Sequence, residues 1–130
     1  MAEIVVGSAD LLQAATCLVT DDIGHFVCIA GSSLSGVLRV TRADITDLAK
    51  MPAVGVITEK PSATSCVVLM LGEFTPGGVL TPNQRIWIGP DGYAALTRPA
   101  APAFLQLVGQ ALDASRMFVA PSRDMCKVIL

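Results

Sequence analysis

The sequence predicts an all-β fold, a small barrel or sandwich of short antiparallel strands with at most one short helix. Short runs of β-branched, aromatic and other apolar residues alternate along the chain with clusters of Gly, Pro, Asp and Ser. Residues of the first kind favour a pleated, half-buried surface, and those of the second kind form turns. Turn signals repeated at such short intervals are typical of barrels and sandwiches.

The clearest element is a hairpin between residues 85 and 97. Arg85–Ile88 and Tyr93–Thr97 flank the tetrapeptide Gly-Pro-Asp-Gly at 89–92. Proline presets φ and glycine supplies positive φ, so this tetrapeptide is predicted to be the turn that joins two antiparallel strands.

A second strand pair is predicted from Phe104–Ala111 and Met117–Ala120, with a polar break between them. The first segment is ambiguous, because its apolar residues also fit a helical stripe that Pro102 would open. Gly109 disfavours a helix by about 1 kcal/mol relative to alanine, so the strand is favoured. Odd- and even-numbered residues of this strand are then expected on opposite faces.

Five further strands are predicted upstream, and they are Cys17–Thr20, His25–Ala30, Gly36–Thr41, Ala53–Thr58 and Cys66–Leu71. The last is a continuous apolar run and is expected to be buried on both faces. Residues 21–24 and 59–62 are predicted turns. One helical turn is predicted at Asp44–Lys50, with Asp44 as its N-cap and Pro52 beyond its end.

The chain is expected to form one domain over residues 1–130, with an N-terminal arm at 1–9 and a C-terminal tail at 122–130. Apolar residues make up 52% of it and charged residues 15%, so some apolar surface is expected to be buried against other chains. A net charge of −2 without a basic block argues against nucleic-acid binding. The chain has neither a membrane-spanning run nor a secretion signal, so it is expected in a cytoplasm and not in a membrane.

Residues that carry chemistry are sparse, and no catalytic residue, metal site or cofactor is predicted. His25 is the one histidine, and a structural role is favoured for it at a strand start. A metal site of His25, Cys28 and Cys17 is disfavoured because positions i and i+3 of a strand face opposite sides. The four cysteines lack CxxC spacing and are interpreted as reduced, mostly buried thiols, although a disulfide framework stays open. The chain is therefore predicted not to be an enzyme.

Two long segments resemble parts of a known virion module. Residues 80–92, LTPNQRIWIGPDG, resemble its "LTPG…YYLG..G" hairpin, and residues 106–121, QLVGQALDASRMFVAP, resemble its closing strands. Shorter matches lie at 23–27, 44–56 and 69–73. The order of these segments resembles a β module of tailed-bacteriophage virion proteins, which include capsid decoration or cement proteins and some tail and fibre proteins. The chain departs from it at Asn83, where glycine is usual, and at Trp87, where tyrosine is common.

This resemblance implies a non-enzymatic virion structural protein, made in the host bacterial cytoplasm and assembled as a homotrimer. A capsid decoration or cement protein, bound to the major capsid protein or another virion protein, explains the low charge best. A tail or fibre module, structural or binding a host receptor, is the alternative, although aromatic residues make up only 5% of the chain.

Seven residues are predicted at a subunit or capsid interface, and they are Trp87, Tyr93, Phe104, Ile4, Val5, Val128 and Ile129. The three aromatics are candidates because aromatic anchors tend to dominate interface energy, with packing in the core as the open alternative. For Trp87, core or seam packing is favoured over sugar stacking. The terminal residues are candidates for strand addition to a neighbouring sheet edge.

Overall fold

The computed structural model describes residues 10–32, 36–100 and 103–128, and within them it is all-β. Strands make up 48% of the described residues and helical turns 3%, which confirms the predicted fold class. The strands are β1 (Leu11–Thr16), β2 (Phe26–Ser32), β3 (Leu38–Arg42), β4 (Gly55–Ser62), β5 (Ser65–Phe74), β6 (Arg85–Ile88), β7 (Ala94–Ala95), β8 (Ala103–Leu105), β9 (Leu107–Ala111), β10 (Met117–Val119) and β11 (Cys126–Val128). A single 3₁₀ turn, Leu48–Lys50, lies between β3 and β4 in this part of the chain.

Five strands close into a barrel, in the order β1-β3-β2-β4-β5 with β5 paired back to β1. Four of the five pairings are antiparallel, as predicted, but β1 and β3 run parallel. A closed ring with an odd number of strands cannot alternate direction all the way round. One parallel pairing is therefore a consequence of closing five strands.

The long strand β5 also forms part of a second sheet. This strand has ten residues, and its last three pair with β10 rather than with barrel strands. The sheet then continues through β9 and β6 to β7. The pairings β6–β7 and β9–β10 confirm the two predicted strand pairs. Strands β8 and β11 form a separate two-stranded sheet.

Two hydrophobic cores result from this arrangement. The barrel interior is filled by Ala15, Cys17, Val27, Val40, Ile57, Cys66 and Val68. A larger core, which includes Phe26, Val56, Leu69, Ile86, Val108 and Met117, packs against the barrel wall and the second sheet. Neighbouring residues of β2 and of β4 thus point into different cores. The segment Cys66–Leu71 was predicted to be buried on both faces. This is wrong for its last residue, because Leu71 is 42% exposed.

The strand predicted at Cys17–Thr20 is wrong, since the strand ends at Thr16 and a turn follows. The carboxylate of Asp21 accepts a hydrogen bond from the Leu18 backbone N–H at 2.9 Å. The Lys60 ammonium donates to the Val19 carbonyl at 3.3 Å. These polar contacts bend the backbone away from the sheet, although the side chains there are apolar.

The turn predicted at residues 59–62 is also wrong, because β4 continues to Ser62 and the reversal falls at residues 63–64. Pro61 is tolerated there because the β4–β5 register shifts between Glu59 and Ser62, and proline is accepted at such irregularities.

The helical turn is shorter than predicted and has a different N-cap. The carboxylate of Asp47 caps it by accepting from Ala49 N. The carboxylate of Asp44 instead accepts from the backbone N–H and the hydroxyl of Thr46. Such local side-chain bonds compete with helix formation, which explains why the helical turn begins later.

The strand predicted at Phe104–Ala111 is interrupted at Gln106, which separates β8 from β9. The strict alternation of faces predicted for it is wrong, since Leu105 and Gln106 are both buried. The Gln106 amide bonds to Ala53 and to the carbonyl of Ser122, so a polar contact between distant segments breaks the strand.

Candidate interaction surfaces

The three predicted interface aromatics have different neighbours. Trp87 is half-buried and lines an apolar cavity of about 380 Å³ together with Met125. Tyr93 is 38% exposed, and its ring packs on His25 with centroids 4.3 Å apart. Phe104 is half-buried against the larger core. All three keep accessible surface, and Phe104 also packs against the larger core.

The predicted terminal interface residues are only partly described. Ile4, Val5 and Ile129 lie outside the described residues. Val128 ends β11, and its backbone pairs with Ala103 of β8 in the same chain. This part of the tail therefore has an intramolecular partner, and the prediction of strand addition rests mainly on the N-terminal arm.

A leucine edge, defined as Leu11, Leu12 and Leu71, is exposed at one end of the barrel. These side chains are 55%, 52% and 42% exposed. The register places Leu11 opposite Leu71 in the β1–β5 pairing, and Leu12 is the next residue of β1, where this register shifts. On its other side, within the described residues, β1 pairs with β3 only at Ala15 and Thr16. The leucine edge thus combines apolar side chains with strand backbone that no described strand covers.

Apolar exposure is not confined to this edge. Other exposed large apolar side chains are Leu18, Val19, Ile23, Ile29, Leu48, Val79 and Leu112. Single exposed apolar residues are ordinary, but contiguous ones mark interaction surfaces. Within the leucine edge, strand register shows direct adjacency for Leu11 and Leu71.

His25 is a structural histidine at the start of β2. It is 5% exposed, and its Nδ1 accepts a hydrogen bond from Asp22 N at 2.8 Å, so the neutral ring is required. Burial lowers the pKa of His25 below its ordinary value, and the Arg42 charge lowers it further. The charges of Asp21, Asp22 and Asp91 act in the opposite direction but do not reverse the shift.

This histidine is expected to make the fold less stable below neutral pH. Because its folded pKa is depressed, its contribution is complete above pH 6.5 and is lost as the pH falls from there towards the folded pKa. The slope of unfolding free energy is expected to be at most about 1.4 kcal/mol per pH unit. Urea denaturation between pH 7.5 and 5 measures it. His25→Gln should flatten the slope in this window, and a flat wild-type curve would contradict the assignment.

The cysteines are mostly buried thiols. Cys17, Cys28 and Cys66 are buried, Cys126 is exposed, and all four are unpaired. Burial and the adjacent thiol of Cys17 raise the pKa of Cys66 to about 12. Burial also raises the pKa of Cys28. A protonated thiol is a poor nucleophile and metal ligand, so these two groups are chemically quiet at neutral pH. Within the described ranges, no three His, Cys, Asp or Glu side chains cluster in a way that could hold a metal ion.

A polar row crosses the second sheet on its outer face. Strand register aligns Glu73 with Phe118, Phe118 with Gln110, and Gln110 with Arg85. All four side chains are exposed, in contrast to the buried residues that alternate with them. The row therefore presents a carboxylate, an aromatic ring, an amide and a guanidinium side by side.

A groove of about 540 Å³ lies along this row. We call it the outer groove, and its lining includes Asn83, Arg85, Gln110 and Phe118. No pattern within a single segment of the sequence predicts this groove, because its members come from separate strands and a turn. One signal was present, since Asn83 replaces the glycine that is usual at its position in the virion module.

No protein-family model, curated protein or solved structure matches this chain. Among the described residues, no helix is both long and apolar enough to cross a membrane. The leucine edge and the outer groove are therefore the features from which function is inferred.

Proposed function

We propose that this chain is a non-enzymatic structural protein of a tailed-bacteriophage virion, a capsid decoration or cement protein that binds the outer capsid surface as a homotrimer and stabilises it. The observation that carries the proposal is the leucine edge, where apolar side chains adjoin uncovered strand backbone. The resemblance of residues 80–92 and 106–121 to the virion module supplies the class of protein.

Cementing a capsid requires contacts between subunits and no chemistry. Buried apolar surface contributes about 25 cal/mol per Å², and part of this offsets the entropy lost on association. Three linked copies that engage together raise the effective concentration of each binding patch. A charge-poor chain with several exposed leucines is suited to such additive, weak contacts.

A tail or fibre module that binds a host receptor is the second candidate function. The outer groove favours it, because a concave surface with a ring, amides and a guanidinium is suited to a small polar ligand. Its location at a tail tip, in few copies, would distinguish it from cement.

The proposed function is tested with purified chain and capsids that lack it. Added chain should coat the capsid in many copies and raise the temperature at which the genome is released. Leu11→Ser should weaken capsid binding about tenfold or more, because it removes apolar area from the leucine edge. Val79→Ser, at a side chain 82% exposed, is the matched control and should bind as wild type. A few copies at the tail tip, without capsid stabilisation, would contradict the proposal.

A further inference from the structure

We propose that the outer groove is a binding site for an acidic saccharide, a sugar that carries a carboxylate. This inference goes beyond the structural role and does not depend on it. It rests on three features of the groove, which are an exposed aromatic ring, a guanidinium without an ion-pair partner among the described residues, and an amide pair built on a glycine-type turn.

The aromatic ring of Phe118 is 39% exposed on β10, in the middle of the polar row. The neighbours of Phe118 on the same strand, Met117 and Val119, are completely buried. Phe118 therefore faces outwards while its strand packs inwards. An exposed ring beside amides offers a flat apolar surface for the C–H face of a sugar ring, with polar groups alongside for its hydroxyls.

The two arginines along this row differ in their partners. Arg116 bonds to Glu73 at 3.1 Å and to Asp113 at 2.8 Å, so its charge is neutralised. Arg85, at the other end of the row, has no ion pair with any residue that the structure describes. A guanidinium is shaped to hold a carboxylate through two parallel hydrogen bonds. The charge of Arg85 is therefore available to an anionic ligand.

Asn83 occupies a turn position for which glycine would suffice. Gln84 N donates to Thr81 O at 3.0 Å, and Asn83 has φ 69°, so residues 81–84 form a type II turn with proline second and Asn83 third. Glycine is the usual third residue of such a turn, since it accepts positive φ without strain. Asparagine tolerates this conformation and adds a side-chain amide at the groove.

That amide orients a second one. Gln110 Nε2 donates to Asn83 Oδ1 at 3.2 Å and lies 3.5 Å from the Asn83 carbonyl oxygen. The Asn83 NH₂ and the Gln110 Oε1 have no partner among the described residues. A donor and an acceptor are thus held side by side, which is the pattern that adjacent sugar hydroxyls match.

The strand pairing favours a saccharide over a peptide. Strand β10 lies between β5 and β9, β9 between β10 and β6, and β6 between β9 and β7. The backbone of β9 and β10, which carry Gln110 and Phe118, is therefore used inside the sheet, and a peptide finds no free edge for strand addition along these two strands. On its other side, among the described residues, β6 pairs with β7 only at Trp87 and Ile88. The site is lined by side chains and by the backbone of Gly109, and its volume of about 540 Å³ lies within the range of about 300–1,000 Å³ usual for small-ligand sites.

The test uses trigalacturonate as the acidic probe and its fully methyl-esterified form as the neutral probe, each titrated into the purified chain by calorimetry. Saturable binding of one trigalacturonate per chain is expected, with the ester at least about tenfold weaker. Arg85→Gln should abolish this preference for the acid. Arg39→Gln makes the same charge change at an exposed residue of β3 and should leave it intact.

A second variant separates binding from folding. Asn83→Gly keeps the positive φ of the turn, so its thermal unfolding midpoint should match wild type. Its affinity for both probes should nevertheless fall about threefold or more, because the amide pair is lost. The proposal is overturned if trigalacturonate does not bind saturably at about 10 mM, if Arg85→Gln retains the preference, or if hexaglutamate binds and trigalacturonate does not. Because only the chain in solution is used, these outcomes are independent of capsid binding.

Discussion

Gln106→Leu is expected to lower the free energy of unfolding by about 3–5 kcal/mol. Gln106 is 1% exposed, and its Oε1 accepts from Ala53 N at 2.8 Å. Its Nε2 donates to Ala53 O at 2.9 Å and to Ser122 O at 2.7 Å. Leucine has a similar volume but leaves these backbone groups without a partner. Each such buried group costs about 1–3 kcal/mol.

The loss should be large because Gln106 joins distant parts of the fold. Ala53 precedes β4 of the barrel, and Ser122 follows β10 of the second sheet. One side chain therefore links the barrel to the second sheet through main-chain groups that nothing else in the described structure replaces.

Urea denaturation at neutral pH measures this effect. Gln13→Leu is the control, because Gln13 is exposed and, among the described residues, its amide donates to the adjacent Ala14 carbonyl alone. It should change stability by no more than about 0.5 kcal/mol. If Gln106→Leu lost less than about 1 kcal/mol, the three hydrogen bonds would not have the structural importance assigned to them.

Deleting Met1–Ala9 is expected to abolish oligomer formation and capsid binding while leaving the fold intact. The described strands begin at Leu11, and the described residues after the arm already supply many side chains to each core. The arm contains an apolar run at residues 4–6, which is suited to pairing with the uncovered side of β1 in a neighbouring copy. Loss of this pairing removes main-chain hydrogen bonds and apolar contact together.

Light scattering and co-sedimentation with capsids measure assembly, and thermal unfolding measures the fold. The deleted chain should be monomeric and should fail to sediment, with a midpoint within a few degrees of wild type. Deleting Met125–Leu130 is a contrasting variant, because it removes β11, the partner of β8, and should lower the midpoint. An arm-deleted chain that binds capsids as well as the full chain would refute the strand-addition prediction.

The fold class and the two strand pairs of the second sheet were predictable from local patterns in the chain. The hairpin at Arg85–Ile88 was predictable because the Gly-Pro-Asp-Gly turn is chemistry within four consecutive residues. The strand at 107–111 was predictable because Gly109 weakens the competing helix. Both predictions depend on residues that are neighbours in sequence, so they do not require knowledge of the tertiary contacts.

The features that join distant segments depend on tertiary contacts and were not predictable from local patterns. The carboxylate of Asp21, together with Lys60, 39 residues further along, makes a turn of the segment that propensity alone assigned to a strand. Closure of five strands requires a parallel pair, which is β1–β3 here and which no local pattern encodes. The outer groove exists because register aligns Phe118, Gln110 and Arg85 from three strands. Register is set by packing across the whole sheet, so the site appears only when the sheet is complete.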